Sequence, residues 1–336
     1  MLPEALEVAM RKLALLRSAI DERLPPDKLR LVKTLWRAWR PGRRGVKARL
    51  IGIDSGFNYI EYRGYALYIV DCARVVITEE SEELYDGYVD IDVVSSSNVE
   101  YELFLRSLEL EVRMLEESVN TPGIVLVDGS LLAKAAALMK ARGELELVRA
   151  GVMEHPSRVL ERLAGALARL GRRAVFIAKN SNSRDVLGLA KGDVYYFESY
   201  TDGAPGYSRP VMASRISGIS SIVKGLEALA GLKGVAQRLD VAITYVRLRE
   251  GGRVYRVEVP LIGDRSGDAE EYIRLLLTAL EHHCVKGYPY VLMRADELAR
   301  ITGRDLRRLA RLTGVLLDPL GREPLDEVFT SARARY

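Results

Sequence analysis

The sequence has few of the residues on which disulfide frameworks, zinc sites and histidine-based catalysis depend. Cys72 and Cys284 are the only cysteines and histidine occurs three times, which excludes a disulfide scaffold and a cysteine-ligated zinc site. No apolar run reaches the ~18 residues that a membrane-spanning helix requires, and the N-terminal residues lack the basic and apolar regions of a secretory signal. We therefore predict a cytoplasmic protein without a membrane segment.

Amide side chains are also scarce. Glutamine occurs once and asparagine five times, whereas charged residues make up 29% of the chain. This bias is typical of proteins from thermophiles.

With 48% hydrophobic residues over 336 positions, the chain can form one large or two ordinary domains, each with a sizeable core.

Two apolar segments each lead into an aspartate followed by small residues. Residues 50–56 read Leu-Ile-Gly-Ile-Asp-Ser-Gly, and residues 124–130 read Ile-Val-Leu-Val-Asp-Gly-Ser. Each predicts a buried strand that delivers a carboxylate, Asp54 or Asp128, to a tight turn. Because Asp-Ser and Asp-Gly are common turn dipeptides, one such segment alone would indicate little. The pair favours a metal or phosphate site.

The segments between these aspartates predict how the two strands are related. Strands are expected at about 48–54, 65–77 and 85–94, followed by a helix from Asn98 to about Glu117 and then the second aspartate-bearing strand. Short connections favour an antiparallel meander for the first three strands. The helix allows the fourth strand to run parallel to the first. The predicted fold is therefore α/β, with a mixed sheet flanked by helices.

The helix between the aspartates carries a third candidate carboxylate. Glu111 falls in the middle of an apolar stripe formed by Phe104, Leu108 and Leu115. A carboxylate on a core-facing stripe is costly unless a cation or hydrogen bonds meet it. Its rival Glu109 lies off the stripe, at helical pairing distance from two arginines, which predicts a surface ion pair.

Asp54, Glu111 and Asp128 together predict the carboxylate arrangement of an RNase H-like site. Hard oxygen ligands of this kind bind Mg²⁺ or Mn²⁺ and leave coordination positions open for phosphate oxygens and water. Two such ions activate a water and stabilise the leaving oxygen in phosphodiester cleavage. The sequence therefore predicts a metal-dependent nuclease with two divalent ions.

The N-terminal region predicts a helical arm, with amphipathic helices over 3–23 and 27–40 that serve dimerisation or docking. Nine Lys or Arg residues and no acid lie between positions 28 and 49, together with the only tryptophans, Trp36 and Trp39. Such a block either tracks DNA phosphates with aromatics available for stacking, or forms a solvated helix whose tryptophans pack inward. The arginines assigned to DNA contact are Arg37, Arg40, Arg43 and Arg44.

The rest of the chain continues the α/β pattern. Strands are predicted at 172–178 and 193–199, and a hairpin at 240–261 turns around Gly251-Gly252. Helices are predicted at 268–283, from about 295 and at 304–311. The strand at 172–178 leads into a polar turn that begins with Lys179.

Four short motifs together resemble the NurA nucleases of archaea. They are Ile-Asp-Ser-Gly-Phe-Asn at 53–58, Leu-Val-Asp-Gly-Ser-Leu at 126–131, Ile-Ala-Lys-Asn-Ser at 177–181 and Gly-Tyr-Pro-Tyr at 287–290. The resemblance implies an RNase H-like fold, a homodimer and manganese-dependent cleavage of single- and double-stranded DNA. It also implies 5′-to-3′ exonuclease activity, endonuclease activity on single strands, and a HerA-type hexameric ATPase as partner in the resection of double-strand breaks.

The resemblance also implies roles for individual residues. The family's acidic ligands correspond to Asp54, Glu111 and Asp128, and its active-site tyrosine to Tyr288. Where the family tends to have a histidine eight residues after that tyrosine, this chain has Asp296. Asp296 is either a metal ligand or ligand-orienting group, or a cap at the start of the helix predicted near 295. Lys179 either contacts the scissile phosphate or is a solvated lysine at a strand end.

We expect the arm to span 1–47, the nuclease core 48–302 and a helical extension 303–336.

Two other functions fit parts of the pattern. One is an ATP-binding protein of the actin and sugar-kinase class, which also uses Asp-Gly turns, although that class expects a Gly-Gly motif between a strand and a helix rather than in a hairpin. The other is a non-catalytic scaffold that loads a partner ATPase onto DNA.

Overall fold

A computed structural model describes residues 3–20, 24–40, 48–78, 80, 82–141, 145–232, 238–263 and 268–314. The α-helices are α1 (Pro3–Arg11), α2 (Leu13–Ile20), α3 (Pro26–Leu35), α4 (Val99–Glu117), α5 (Leu131–Lys140), α6 (Glu146–Arg149), α7 (Pro156–Leu170), α8 (Asp193–Tyr200), α9 (Ser220–Leu232), α10 (Ala269–Glu281), α11 (Tyr290–Leu298) and α12 (Gly303–Leu312). The strands are β1 (Trp36–Ala38), β2 (Leu50–Glu61), β3 (Ala66–Ile77), β4 (Glu83–Val94), β5 (Ile124–Asp128), β6 (Ala174–Ala178), β7 (Gly206–Ser208), β8 (Val211–Met212), β9 (Leu239–Arg247), β10 (Tyr255–Ile262), β11 (Cys284–Val285) and β12 (Tyr288–Pro289).

Within the described residues, a ten-stranded mixed sheet forms the centre of the fold. Its order is β1-β7-β9-β10-β6-β5-β2-β3-β4, and β8 pairs with β9 off this path. β2, β3 and β4 form an antiparallel meander, and β5 pairs parallel to both β2 and β6. The predicted meander and the parallel crossover through α4 are thus confirmed.

Helices cover both faces of the sheet, so the central strands are buried on both sides. Ile51, Ile53, Val125 and Val127 face a core shared with α4, α5, α7 and α9. Leu50 and Leu126, one residue out of phase, belong to a second core beneath α10 and α11. Burial on both faces explains why these strands read as continuous apolar runs rather than as alternating ones.

Several predicted element boundaries are wrong. The helix expected over 27–40 ends at Leu35, and Trp36–Ala38 instead pairs antiparallel with β7. Residues 193–199, expected to form a strand, are helical in α8 because the buried Asp193 carboxylate accepts the backbone N–H groups of Val186 and Leu187 and the Tyr245 hydroxyl. The arm helix predicted over 3–23 is broken into α1 and α2, and residues 21–23 lie outside the described part.

In the part of the chain that the structure describes, none of the helices has both the length and the apolar character needed to cross a membrane.

Candidate active site

Asp54 lies in the interior of a strand rather than at its end. β2 continues seven residues beyond it to Glu61, paired with β3 throughout, whereas the parallel pairing of β2 with β5 ends at Ile53 and Val127. The prediction that Asp54 ends its strand at a turn is therefore wrong. Asp54 still stands where two strands cease to pair, and its Oδ1 accepts the backbone N–H of Ser55 at 2.8 Å.

The glycines on either side of Asp54 allow the backbone of α11 and of Ala299, the residue after it, to pack closely against β2. A β-carbon at Gly52 would lie 2.5 Å from the carbonyl oxygen of Val291, and one at Gly56 would overlap the carbonyl oxygen of Ala299. Residues 52, 54 and 56 share one face of the strand, so Asp54 faces the same side as α11. Gly56 thus serves close packing rather than a turn.

Asp128 is the last residue of β5 and precedes a tight turn into α5. Gly129 has φ +90° and donates its N–H to the carbonyl of Ile177 at 2.9 Å. The Ser130 hydroxyl oxygen accepts the N–H of Ala133 at 3.1 Å and caps α5. The predicted strand and turn are confirmed here.

Glu111 is buried on α4 and is met by both a hydroxyl and a cation. Its Oε1 accepts the Ser55 hydroxyl at 2.6 Å, and its Oε2 contacts the Lys134 ammonium. Because Ser55 follows Asp54 directly, this hydrogen bond ties α4 to β2 at the candidate site. The predicted core-facing position of Glu111 is confirmed.

The predicted contrast between a core-facing Glu111 and a surface Glu109 is only half correct. Phe104, assigned to the buried stripe, is exposed, whereas Glu109 is 7% exposed and therefore buried. Glu109 pairs with Arg106 at 2.7 Å and accepts the backbone N–H of Glu154 at 3.3 Å. Because α4 packs against both the sheet and α7, most of its circumference is covered. Glu109 thus forms a buried structural ion pair with Arg106 and not a surface ion pair.

Tyr288, Lys179 and Asp296 form a chain of contacts that begins at Asp128. The Tyr288 hydroxyl donates to Asp128 Oδ1 at 2.7 Å, and Lys179 Nζ lies 3.6 Å from the same oxygen. Lys179 also donates to Asp296 Oδ1 at 3.1 Å and lies 4.9 Å from the centre of the Tyr288 ring. The solvated-lysine alternative for Lys179 is therefore wrong.

Asp296 does not cap a helix. α11 begins at Tyr290, so Asp296 is its seventh residue and not in its first turn. The helix N-terminus predicted near 295 is wrong because Tyr290, Val291 and Leu292 already belong to the helix, where Val291 and Leu292 are buried. Besides Lys179, Asp296 accepts a hydrogen bond from Arg300 at 3.1 Å through Oδ2.

Two of the carboxylates are close enough to Asp54 to perturb its ionisation. Burial and the negative charges of Asp128 and Glu111 raise the pKa of Asp54 from 3.8 to about 8, although the ammonium groups of the two lysines oppose this shift. At neutral pH, Asp54 thus retains its proton in the absence of a further cation. A cluster that cannot ionise fully without additional positive charge has the electrostatics of a cation site.

The groups around Asp128 have fixed protonation states. Burial, the Asp128 charge and the hydrogen bond to Asp128 raise the pKa of Tyr288 far above its ordinary value, so the phenol remains a neutral donor. Burial lowers the pKa of Lys179, but the Asp128 charge and the hydrogen bond to Asp296 outweigh it, and the net shift is upward. Lys179 is therefore a permanent cation beside Asp128.

The donor chemistry fits a divalent ion, but the side chains are not yet gathered around one point. Among the described residues, no three His, Cys, Asp or Glu side chains form a ready metal-ligand group. The lysines explain this, because Lys134 occupies one oxygen of Glu111 and Lys179 lies against Asp128. Hard carboxylate oxygens of this kind are the ligands that Mn²⁺ and Mg²⁺ take.

The basic segment lies apart from this cluster. Arg37 is in β1, five strands from β5 in the sheet order, which at about 4.8 Å per strand is roughly 24 Å. Arg40 is exposed, whereas Arg43 and Arg44 lie outside the described residues. Trp36 and Trp39 are buried, and Trp36 packs on Phe197 with ring centres 5.7 Å apart. The tryptophans thus pack inward, as one alternative predicted, but Trp36 does so from strand β1 and not from a helix.

Lys134 is the site residue that sequence reasoning missed. It is the single charged side chain among the first nine residues of α5, Leu-Leu-Ala-Lys-Ala-Ala-Ala-Leu-Met. A lone lysine in an apolar helix that follows Asp128 is costly to bury without a carboxylate partner. That signal could have paired it with Glu111.

Comparisons with known proteins agree with the geometry. Residues 48–301 match the family model described as the NurA domain. The DNA double-strand break repair nuclease NurA of Sulfolobus acidocaldarius is 25% identical over 300 residues, covering 83% of this chain and 84% of that protein. The crystal structure of the NurA nuclease from Sulfolobus solfataricus superimposes with a TM-score of 0.70 at 18% identity, covering 94% of this chain and 98% of that one.

A crystal structure of NurA bound to dAMP and manganese also matches, with a TM-score of 0.58 at 12% identity over 95% of this chain and 98% of that one. At such identities the solved structures establish the fold, and they confirm the predicted mixed α/β architecture. The family predicted from the four motifs is confirmed by the family model, which spans most of the sequence. The chain belongs to the NurA family.

Proposed function

We propose that this chain is a divalent-metal-dependent deoxyribonuclease that hydrolyses phosphodiester bonds. One observation carries the proposal: β2, α4 and β5 bring three carboxylates to one place, where burial and the charges of Asp128 and Glu111 raise the pKa of Asp54 to about 8. Strongly perturbed acids grouped with cationic side chains are typical of catalytic sites. The curated relative's name, a DNA double-strand break repair nuclease, supports DNA as the substrate.

Asp54, Glu111 and Asp128 would hold the metal, since they are the clustered hard-oxygen donors. The neighbour determined with manganese supports Mn²⁺, with Mg²⁺ as the other candidate, and we propose two ions. When bound, such ions would supply Lewis acidity and would lower the pKa of a bound water so that it can act as a nucleophile near neutral pH. Binding also requires Asp54 to lose its proton and Glu111 to release Lys134.

Tyr288 and Lys179 would prepare the site for a phosphodiester. Tyr288 fixes the orientation of the Asp128 carboxylate through its hydrogen bond. Lys179 remains protonated, and its ammonium would contact a non-bridging oxygen of the scissile phosphate. Asp296 would orient this lysine, because its Oδ1 accepts the lysine's hydrogen bond while its Oδ2 is engaged by Arg300. We therefore favour the orienting role for Asp296 over a direct ligand role.

We propose the finer activities from the family resemblance. They are 5′-to-3′ exonuclease activity on single- and double-stranded DNA, endonuclease activity on single strands, and end resection with a HerA-type hexameric ATPase. We assign residues 48–302 to the nuclease core and 303–336 to a C-terminal extension that begins with α12 and whose residues 315–336 lie outside the described part. We assign residues 1–47 to homodimer, partner and DNA contacts, because α1 and α2 expose apolar side chains, among them Leu6, Met10 and Leu15.

The test is cleavage of end-labelled single- and double-stranded DNA by the purified chain with Mn²⁺ or Mg²⁺, beside an assay for ATP hydrolysis. Asp54→Asn should abolish cleavage. Asp92→Asn is the matched control, because this exposed strand aspartate also accepts the next residue's backbone N–H at 2.8 Å. ATP hydrolysis without cleavage would favour the actin and sugar-kinase class, and neither activity would favour a scaffold.

A further inference from the structure

Glu258 is a fully buried carboxylate that the proposed chemistry does not use. It lies in β10, and both of its oxygens engage the segment that follows Asp128. Its Oε1 accepts the Ser130 hydroxyl at 2.8 Å, and its Oε2 accepts the Leu132 backbone N–H at 3.0 Å. Glu258 thus holds both the cap and a first-turn amide of α5.

Arg256 offsets the cost of burying this charge. Its Nε donates to Glu258 Oε1 at 2.6 Å, and its Nη1 lies 2.7 Å from Asp185 and 3.0 Å from the Tyr245 hydroxyl. Arg256 is 2% exposed, so the pair is removed from solvent. A buried ion pair gives little net stability compared with an apolar replacement, so stability alone does not account for this pair.

The segment that Glu258 holds carries two members of the active site. Asp128 lies two residues before Ser130, and Lys134 lies in the first turn and a half of α5 with its ammonium on Glu111. A shift of the α5 N-terminus would therefore move Asp128 and Lys134 together. We propose that Glu258 is a positioning residue for the metal site, which it serves by anchoring the Asp128–Ser130 turn and the start of α5.

This inference rests on the proposed function, and it predicts an effect on metal binding. Groups that orient metal ligands without touching the metal typically change affinity or activity 10- to 100-fold when replaced. Glu258→Gln keeps the volume and one acceptor oxygen, but it removes the charge that faces Arg256 and turns an amide NH₂ toward a donor. Its Mn²⁺ dissociation constant should therefore rise by roughly 10- to 100-fold.

The chain offers a matched control in Glu102. This glutamate on α4 is also buried, accepts a serine hydroxyl, from Ser96 at 2.5 Å, and accepts a backbone N–H, from Leu147 at 2.8 Å. It lies nine residues before Glu111, more than two helical turns away. Glu102→Gln should therefore lose stability while leaving Mn²⁺ affinity within about twofold of wild type, since no metal ligand depends on it.

The two serines give a milder pair of variants. Ser130 and Ser96 each donate to their glutamate and each accept one backbone N–H at 3.1 Å, from Ala133 and Asn98 respectively. Ser130→Ala should weaken Mn²⁺ binding and Ser96→Ala should not. This pair decides the matter if Glu258→Gln does not fold.

The experiment uses the full chain and four readouts: Mn²⁺ binding by electron paramagnetic resonance, amide hydrogen exchange at residues 131–134 without metal, guanidinium unfolding, and DNA cleavage. We expect weaker Mn²⁺ binding and faster exchange for the Glu258 and Ser130 variants only. If wild type binds Mn²⁺ and cleaves DNA while Glu258→Gln and Glu102→Gln bind the metal equally well, the positioning role is wrong and the proposed function stands. If wild type itself neither binds Mn²⁺ nor cleaves, the proposed function and this inference are both overturned.

Discussion

Replacing Asp54 with asparagine should stabilise the protein in the absence of metal while removing the cleavage that we propose. Asp54 is buried beside two other carboxylates, and its pKa is raised from 3.8 to about 8. Between these two values the folded state binds one more proton than the unfolded state. The free energy of unfolding therefore falls as the pH rises through this window, and the full cost is present above about pH 8. Asparagine carries no charge and removes this cost.

The size of the effect follows from the shift. One pKa unit corresponds to 1.36 kcal/mol, so the change from 3.8 to about 8 corresponds to roughly 6 kcal/mol at high pH. At pH 5 only about 1 to 2 kcal/mol of this cost is present, because pH 5 lies little more than one unit above the pKa of the carboxyl in the unfolded chain. The variant should therefore gain stability over wild type mainly between pH 5 and pH 9. Such a gain is typical of positions where function opposes stability.

The assay is guanidinium unfolding in EDTA at pH 5 and pH 9 for wild type, Asp54→Asn and Asp92→Asn. Asp92→Asn controls for the loss of a strand aspartate and its local backbone hydrogen bond. Equal stability of Asp54→Asn and Asp92→Asn at pH 9 would refute the argument that like-charge repulsion and burial are concentrated at Asp54. Retained Mn²⁺-dependent cleavage by Asp54→Asn would refute its ligand role.

Three further changes test other parts of the site. Glu109→Gln should lower the free energy of unfolding by about 1 to 3 kcal/mol, because it breaks a buried ion pair. The cleavage rate per folded molecule should be unchanged, and a large loss of rate would show that Glu109 belongs to the active site. Asp296→Asn should lower the rate at an unchanged unfolding midpoint, since it weakens the anchor of Lys179, and a normal rate across a Mn²⁺ titration would exclude that role. Gly56→Ala should cost about 1 to 3 kcal/mol or more because its β-carbon meets the carbonyl of Ala299, just after α11. Gly64→Ala, with no atom within 4 Å of the new carbon, should be nearly neutral in urea unfolding, and equal costs would exclude a packing role for Gly56.

The central part of the fold could be predicted because its signals are local. The apolar runs of β2 and β5 are buried on both faces, and the short meander connections and the α4 crossover restrict the topology. The same reasoning placed Glu111 correctly, since a carboxylate among leucines is anomalous wherever the helix packs. The predicted exposure of Glu109 was wrong because the sequence does not reveal that α7 covers a second side of α4.

The errors occur where distant residues decide the local structure. Trp36–Ala38 is a strand only because β7, some 170 residues later, supplies its pairing partner. Val-Tyr-Tyr-Phe at 194–197 has strong β propensity, but Asp193 binds two preceding backbone amides and a tyrosine from β9, and the helix prevails. Ser-Gly at 55–56 resembles a turn, but Gly56 leaves room for the carbonyl of Ala299 and Ser55 bonds Glu111 from the opposite face of the strand.

Metal binding at this site should be coupled to the release of a proton. A carboxylate must be deprotonated to bind a divalent ion, and Asp54, with its pKa raised to about 8, is largely protonated at neutral pH. Binding of Mn²⁺ should therefore release close to one proton at pH 6.5 but roughly a quarter of a proton at pH 8.5, and the apparent affinity should rise up to about tenfold per pH unit below pH 8. Titration calorimetry in two buffers of different ionisation enthalpy measures the released protons directly, with Asp92→Asn as the control that should behave as wild type. Identical binding heats in the two buffers at pH 6.5 would mean that Asp54 is already ionised, and that Lys134 and Lys179 alone balance the three carboxylates.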